Sequence, residues 1–218
     1  INFSALFALA LSLIQLRLVK DRNLMILCIA INALVILSFL TAGLLELSYL
    51  RYSFLNDAAN KYYIRDASYI LIRYLGIVLI VPLMIINYRY ARHEMFNEAI
   101  RQTERVLFHV AVLILLSSEL VHWLDMGRIE NSFKLALSIL WGAYALFLIV
   151  LGLWKNLKYI RVAAIVLFGI TLIKLFAYDM ADMSTIAKTI VMMILGILLL
   201  TASFLYNKTK KSTRNEIQ

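Results

Sequence analysis

The chain has 218 residues, of which 63% are hydrophobic and only 16% charged, with a mean hydropathy of +0.83. A water-soluble domain runs near half apolar and a quarter charged, and a chain of this size has no interior large enough to hide the excess, so a soluble fold is excluded. The net charge of +9 calls for no nucleic-acid partner, because basic loops beside anionic lipid headgroups account for it.

Apolar segments follow one another along the sequence, near the roughly 20 residues that a helix needs to cross a hydrocarbon core about 30 Å thick. They cover residues 1–16, 24–45, 69–86, 106–124, 133–154, 159–178 and 186–206. Barrel strands would be about 10 residues of alternating polarity, whereas these runs are continuous. Only helices and closed barrels satisfy their backbone in lipid, so the fold class is all-α: a polytopic transmembrane helix bundle of about seven spans. One bundle over 1–207 is expected, followed by a basic cytoplasmic tail at 208–218.

Taken in order, the first segment is slightly short, lacks an initiating Met and has no basic flank or cleavage site of a signal peptide, so the chain reads as a fragment or processed product of something longer. The second carries Cys28, with no partner for a disulfide and no metal-ligand spacing, and Asn32, which like Gln15 suits a bond across helices. The outer stretch 51–67 offers turn residues at Asn56, Asp57 and Asn60. The third segment contains the sole proline, Pro82, where a kink is expected. Between the third and fourth, Ala91, Met95, Phe96, Ala99 and Ile100 recur at helical spacing, which fits either an amphipathic surface helix or a continuation of the third helix. His109 reads as a packed histidine, and Gly142, Gly152, Gly169 and Gly196 as sites of close helix packing. Asp182 or Ser184 is placed to cap the seventh helix.

The basic residues set an orientation. Arg17, Lys20 and Arg22, then Arg89, Arg92, Arg101 and Arg105, then Lys155, Lys158 and Arg161, and finally Lys208, Lys210, Lys211 and Arg214 all fall on one side. The other side is sparser in Lys and Arg and holds Asp57, Asp66, Asp125, Glu130, Asp179 and Asp182. By the positive-inside rule the N-terminus lies outside and the C-terminus in the cytoplasm. Tyr49, Tyr52, Tyr88, Tyr90, Trp123, Trp154 and Tyr178 fall near segment ends, as an interfacial belt requires.

Ionisable residues inside spans are costly, so they mark protein-facing or water-facing positions. On the outer side these are Glu46, Arg73, Glu119, His122 and Lys174, with Asp179 just beyond Lys174. Glu119 and His122 are three residues apart on one helix face, and a carboxylate beside an imidazole is what proton transfer needs, so they are the candidate catalytic pair. Arg73, Lys174 and Asp179 are the candidate substrate-binding residues, since the two cations can hold a phosphate or carboxylate. Glu119, His122 and Lys174 are expected to share an outward-opening pocket with Arg73 and Asp179 at its rim. The same residues also suit structural pairing between helices and snorkelling to headgroups. No metal site and no cofactor is implied.

Ser138, Trp141, Tyr144 and Gly152, then Arg161, Thr171, Lys174, Phe176 and Asp179, then Gly196, Ser203 and Tyr206 form a pattern over Lys134–Lys208. It resembles the C-terminal region of a bacterial multi-pass membrane family catalogued as domain of unknown function 2339. That resemblance implies a longer parent chain with more helices and brings no activity with it. Three functions fit: a scaffold or subunit of a larger membrane assembly in the bacterial inner membrane, an envelope enzyme acting on a lipid-linked or glycan substrate, or a small-solute transporter. Transport predicts broken helices and charges at mid-bilayer, and these midplanes are apolar. Membrane lipids, other membrane subunits or the remainder of a longer chain are the partners expected.

Overall fold

In lipid, a backbone without water must bond to itself, and long apolar runs therefore become helices. A computed structural model of the chain describes residues 1–19, 21–55, 68–94, 96–128, 133–179 and 185–215, and these are helical throughout apart from short turns. The helices are α1 (Asn2–Ile14), α2 (Arg22–Ser38), α3 (Leu44–Leu55), α4 (Ser68–Ala91), α5 (Glu98–Met126), α6 (Phe133–Trp154), α7 (Lys158–Lys174) and α8 (Thr185–Asn215). Single π-helical turns extend α1 over Gln15–Val19, join α2 to α3 over Phe39–Gly43 and extend α7 over Leu175–Asp179. Among the described residues, five stretches are long and apolar enough to cross a membrane: Asn23–Leu55, Ile70–Ala91, Glu98–Met126, Phe133–Trp154 and Lys158–Tyr178. Two shorter apolar helices, Asn2–Arg17 and Lys188–Thr201, bring the total to about the seven that composition calls for.

Several helices outrun the apolar segments that announce them. The second continues past Glu46 to Leu55. α5 begins at Glu98, because Asn97 Oδ1 accepts the Ile100 amide at 2.9 Å and Glu, Arg and Gln are good helix formers. Residues 92–94 turn after α4, and residues 98–104 are the first turns of α5, neither a separate surface helix nor a continuation of α4. α4 runs through Pro82 as one helix, and α8 stays helical to Asn215, through the basic stretch expected as a tail. The turn residues Asn56, Asp57 and Asn60 and the cap from Asp182 or Ser184 lie outside the described residues.

The chain divides into two compact units, Ile1–Ser118 and Glu119–Gln218, with the boundary inside α5. In the first, α1 packs on α2 and α4, and α2 on α4. The inward face of α1 is small: Ala5, Ala8 and Ser12 are buried, while Phe3 and Phe7 are 88% and 65% exposed. Lipid is as apolar as leucine, so helices gain by close approach, and small residues permit it. Asp21 accepts the Leu24 amide at 3.1 Å and caps α2. Phe39, Ile80, Leu83, Met84, Ala111 and Leu115 belong to one buried cluster that joins the π turn after α2 to α4 and α5. Gly76 makes room for it: a Cβ there would lie 2.7 Å from Cε2 of Phe39.

In the second unit, α6 and α7 form a hairpin, and α8 packs on α6. Ser138, Gly142, Ala145, Ile149 and Gly152 line the buried stripe of α6; Ile160, Ala164, Phe168 and Thr171 line that of α7. The hairpin turns at Asn156, which adopts φ 52°. The Leu157 amide reaches Gly152 O at 2.8 Å and the Asn156 amide reaches Leu153 O at 3.2 Å, a left-handed ending that satisfies the last carbonyls of α6. Among the described residues nothing lies within 4 Å of where a Cβ would sit at Gly169 or Gly196, so the close packing expected there is not found among them.

Candidate functional site

The polar residues of the spans form three groups. In the first unit, Arg73 on α4 is only 2% exposed, and its Nη2 donates to Ser118 Oγ on α5 at 2.8 Å. That burial places it inside the unit rather than at a rim, because a guanidinium in an apolar layer is held only where other helices offer acceptors. Deeper, Asn32 on α2 donates through Nδ2 to Ser12 Oγ on α1 at 2.9 Å, and Tyr90 Oη donates to Ser12 O at 2.7 Å. Asn32 therefore bonds across helices, as its position promised. Gln15 instead donates to Asp21 O at 3.4 Å, inside the turn between α1 and α2. Tyr90 leaves the interfacial belt assigned to it and is 2% exposed.

In the second unit, Glu119 and His122 sit one turn apart on α5, Glu119 partly buried and His122 only 3% exposed. The His122 ring stands edge-on to Trp123 at 5.9 Å. Lys174, at the end of α7, donates through Nζ to Ser138 Oγ at 2.9 Å and to Lys134 O at 3.4 Å, both on α6. The Lys134 ammonium lies over the Tyr178 ring, 4.6 Å from its centre. Asp179 closes the π turn, and its side chain lies outside the described residues. Arg73 thus belongs to one unit, and Glu119, His122, Lys174 and Asp179 to the other. Among the described residues no group of three His, Cys, Asp or Glu side chains could hold a metal.

The third group lies at the other end of the first unit. Asn87 on α4 donates through Nδ2 to Glu104 Oε2 on α5 at 3.5 Å. Next to it, Tyr88 packs on Phe108 with ring centres 5.2 Å apart. Arg92 caps Tyr88, its guanidinium 4.6 Å above the ring and its Nη2 donating to the hydroxyl at 2.7 Å. Asn87, Tyr88, Glu104 and Phe108 line one end of a cavity of about 370 Å³ whose remaining lining from α2, the π turn after it, α4 and α5, including Ile36, Leu40, Met84 and Ala111, is apolar apart from Thr41. Thr41 spends its hydroxyl on Leu37 O of its own helix, at 2.7 Å.

The chain is helical, apart from short turns, wherever it is described, and five of its apolar stretches are long enough to cross a membrane. Residues 2–209 match the model of a family described as predicted membrane protein, DUF2339. The chain belongs to that family. The match covers nearly the whole chain, well beyond the Lys134–Lys208 stretch that carried the resemblance. No curated protein and no solved structure matches it. Membership in DUF2339 and the apolar helices together make it an integral, multi-pass membrane protein.

In this DUF2339 chain, Arg73, Glu119, His122 and Lys174 stand out in the sequence because each interrupts an apolar run. Asn87 and Glu104 do not, because they lie just outside the third and fourth runs. The signal available was weak: a neutral amide after an isoleucine pair and one carboxylate among arginines.

Proposed function

We propose that the chain is a structural component of the bacterial cell envelope, a scaffold or subunit of a larger membrane protein or assembly in the cytoplasmic (inner) membrane. The observation that carries this reading is what Lys174 is bonded to: its ammonium fastens the end of α7 to Ser138 and to the Lys134 carbonyl of α6. Arg73 with Ser118 and Asn32 with Ser12 join other helix pairs in the same way. Polar groups spent on neighbouring helices hold a bundle in one arrangement, which suits a part that presents fixed surfaces to other membrane subunits. The basic loops orient the chain with its N-terminus outside and its C-terminus in the cytoplasm.

The test is cross-linking in intact membranes followed by mild solubilisation of a tagged chain. Other membrane proteins in fixed proportion to the chain support the scaffold; a chain recovered alone overturns it. A second arm uses Lys174→Met and Glu119→Gln. The structural reading expects Lys174→Met to reduce the amount of folded protein. Normal amounts with loss of the cellular phenotype would favour the enzyme reading instead, in which Glu119 and His122 exchange a proton while Lys174 and Asp179 bind a lipid-linked or glycan substrate.

A further inference from the structure

The cavity between α2, α4 and α5 lies apart from these helix ties, and its shape is that of a groove. Leu37, Leu107, Val110 and Ile114 line it and are 58%, 54%, 45% and 37% exposed, so it opens on the apolar outer face of the first unit. On α5 its lining runs from Glu104 to Ile114. At 1.5 Å per residue that is about 15 Å, half of a hydrocarbon core about 30 Å thick, and so the depth of one leaflet. An apolar groove of one leaflet's depth, open to the bilayer, matches one acyl chain.

The polar end says which headgroup. Asn87 is 5% exposed, and its Oδ1 has no hydrogen-bond partner among the described residues. Its neighbour Glu104, partly buried, accepts from Asn87 Nδ2 only at 3.5 Å, the outer limit of a hydrogen bond. Two acceptors in a water-poor place, one of them a carboxylate, call for a cationic donor. A primary ammonium has three N–H donors and no acceptor, which suits both. A quaternary ammonium has no N–H to give. Tyr88 lines the same end, and Arg92, bonded to the Tyr88 hydroxyl and stacked on its ring, supplies a positive charge for a phosphate beside that ammonium.

The geometry points to this groove as a binding site for an ethanolamine phospholipid, with one acyl chain between α2, α4 and α5 and the ammonium on Glu104 and Asn87. The purified full chain, exchanged into detergent, is presented with ethanolamine, choline and glycerol phospholipids of identical acyl chains, and bound lipid is read by native mass spectrometry. The site predicts retention of the ethanolamine lipid at least tenfold above the other two. Glu104→Gln, which keeps the shape and removes the charge, brings ethanolamine retention down to the choline level. Ala33→Trp, which fills the groove from α2, suppresses all three. Equal retention of ethanolamine and choline lipids by the unaltered chain overturns the site, and because that comparison changes the ligand and not the protein it holds whatever the variants do to folding. Preferred retention of the glycerol lipid also overturns it, assigning the attraction to surface arginines alone.

Discussion

Asn32 is a single polar side chain with no exposed surface, and its partner Ser12 is equally buried. With no water to turn to, the pair either bonds across α1 and α2 or leaves both groups stranded. Interhelical hydrogen bonds in membranes average about 0.6 kcal/mol and reach roughly 1.7. Asn32→Leu is therefore expected to lower stability by about 1 kcal/mol, toward the upper part of that range because Ser12 loses its donor. Unfolding in mixed micelles measures it, and an unchanged midpoint would mean that the pair contributes nothing. Gly76 is decided by volume instead. A methyl group there meets the Phe39 ring at 2.7 Å and Asn2 Oδ1 at 3.1 Å, so Gly76→Ala should cost about 1–3 kcal/mol through overpacking. Adding Phe39→Leu should recover part of that loss; if the two losses simply add, the clash is not the cause. At this scale the sequence shows which residues are unusual but not where their partners are. Arg73 and Lys174 stand out as charges in apolar runs, yet Ser118 and Ser138, to which they donate, are ordinary serines in the sequence. Asn87 and Glu104 are 17 residues apart and meet only because α4 and α5 lie side by side.

Helices are set by propensity and capping, whereas spans are set by hydropathy, and the two need not end together. The all-α class and the order of the apolar helices were legible because a backbone in lipid has so few choices. The ends were not. Glu46 looks like the end of a span, but a carboxylate does not stop a helix, and α3 continues past it to Leu55. The charged run 98–105 lies between spans by hydropathy, and its helical spacing suited a surface helix or an extension of the third; it is instead the start of α5, set by the Asn97 cap. The α6–α7 hairpin offers the sharpest test of an element. Asn156 holds φ 52°, a conformation that costs most residues about 1–2 kcal/mol and that Gly adopts freely. Asn156→Gly should match or exceed the parent in thermal stability, and Asn156→Val should fall below it by about 1–2 kcal/mol. Equal melting of the two variants would show that the left-handed ending does not hold the turn.

At the scale of the molecule, orientation is the property to measure first. The basic loops predict a cytoplasmic C-terminus. A reporter that works only in the cytoplasm, fused after Gln218, should be active, and its periplasmic counterpart silent; the reverse result would invert every loop assignment. Each unit is organised around narrow stripes of small residues: Ala5, Ala8 and Ser12 in one, Ser138, Gly142 and Ala145 in the other. The bulkiest side chains of α1, Phe3 and Phe7, point outward. This reverses the way sequence drift should act on the chain. In a water-soluble protein the large apolar residues are the ones that resist replacement. Here Phe3 can trade places with Leu, Ile or Met at little cost, because lipid conforms to any of them. Ala8→Leu, a change that raises hydropathy and looks harmless on any transfer scale, forces two helices apart. The information that specifies this fold is therefore held largely in side-chain volume that is missing, and a lineage of such chains can change most of its greasy letters while keeping a sparse ladder of alanine, glycine and serine.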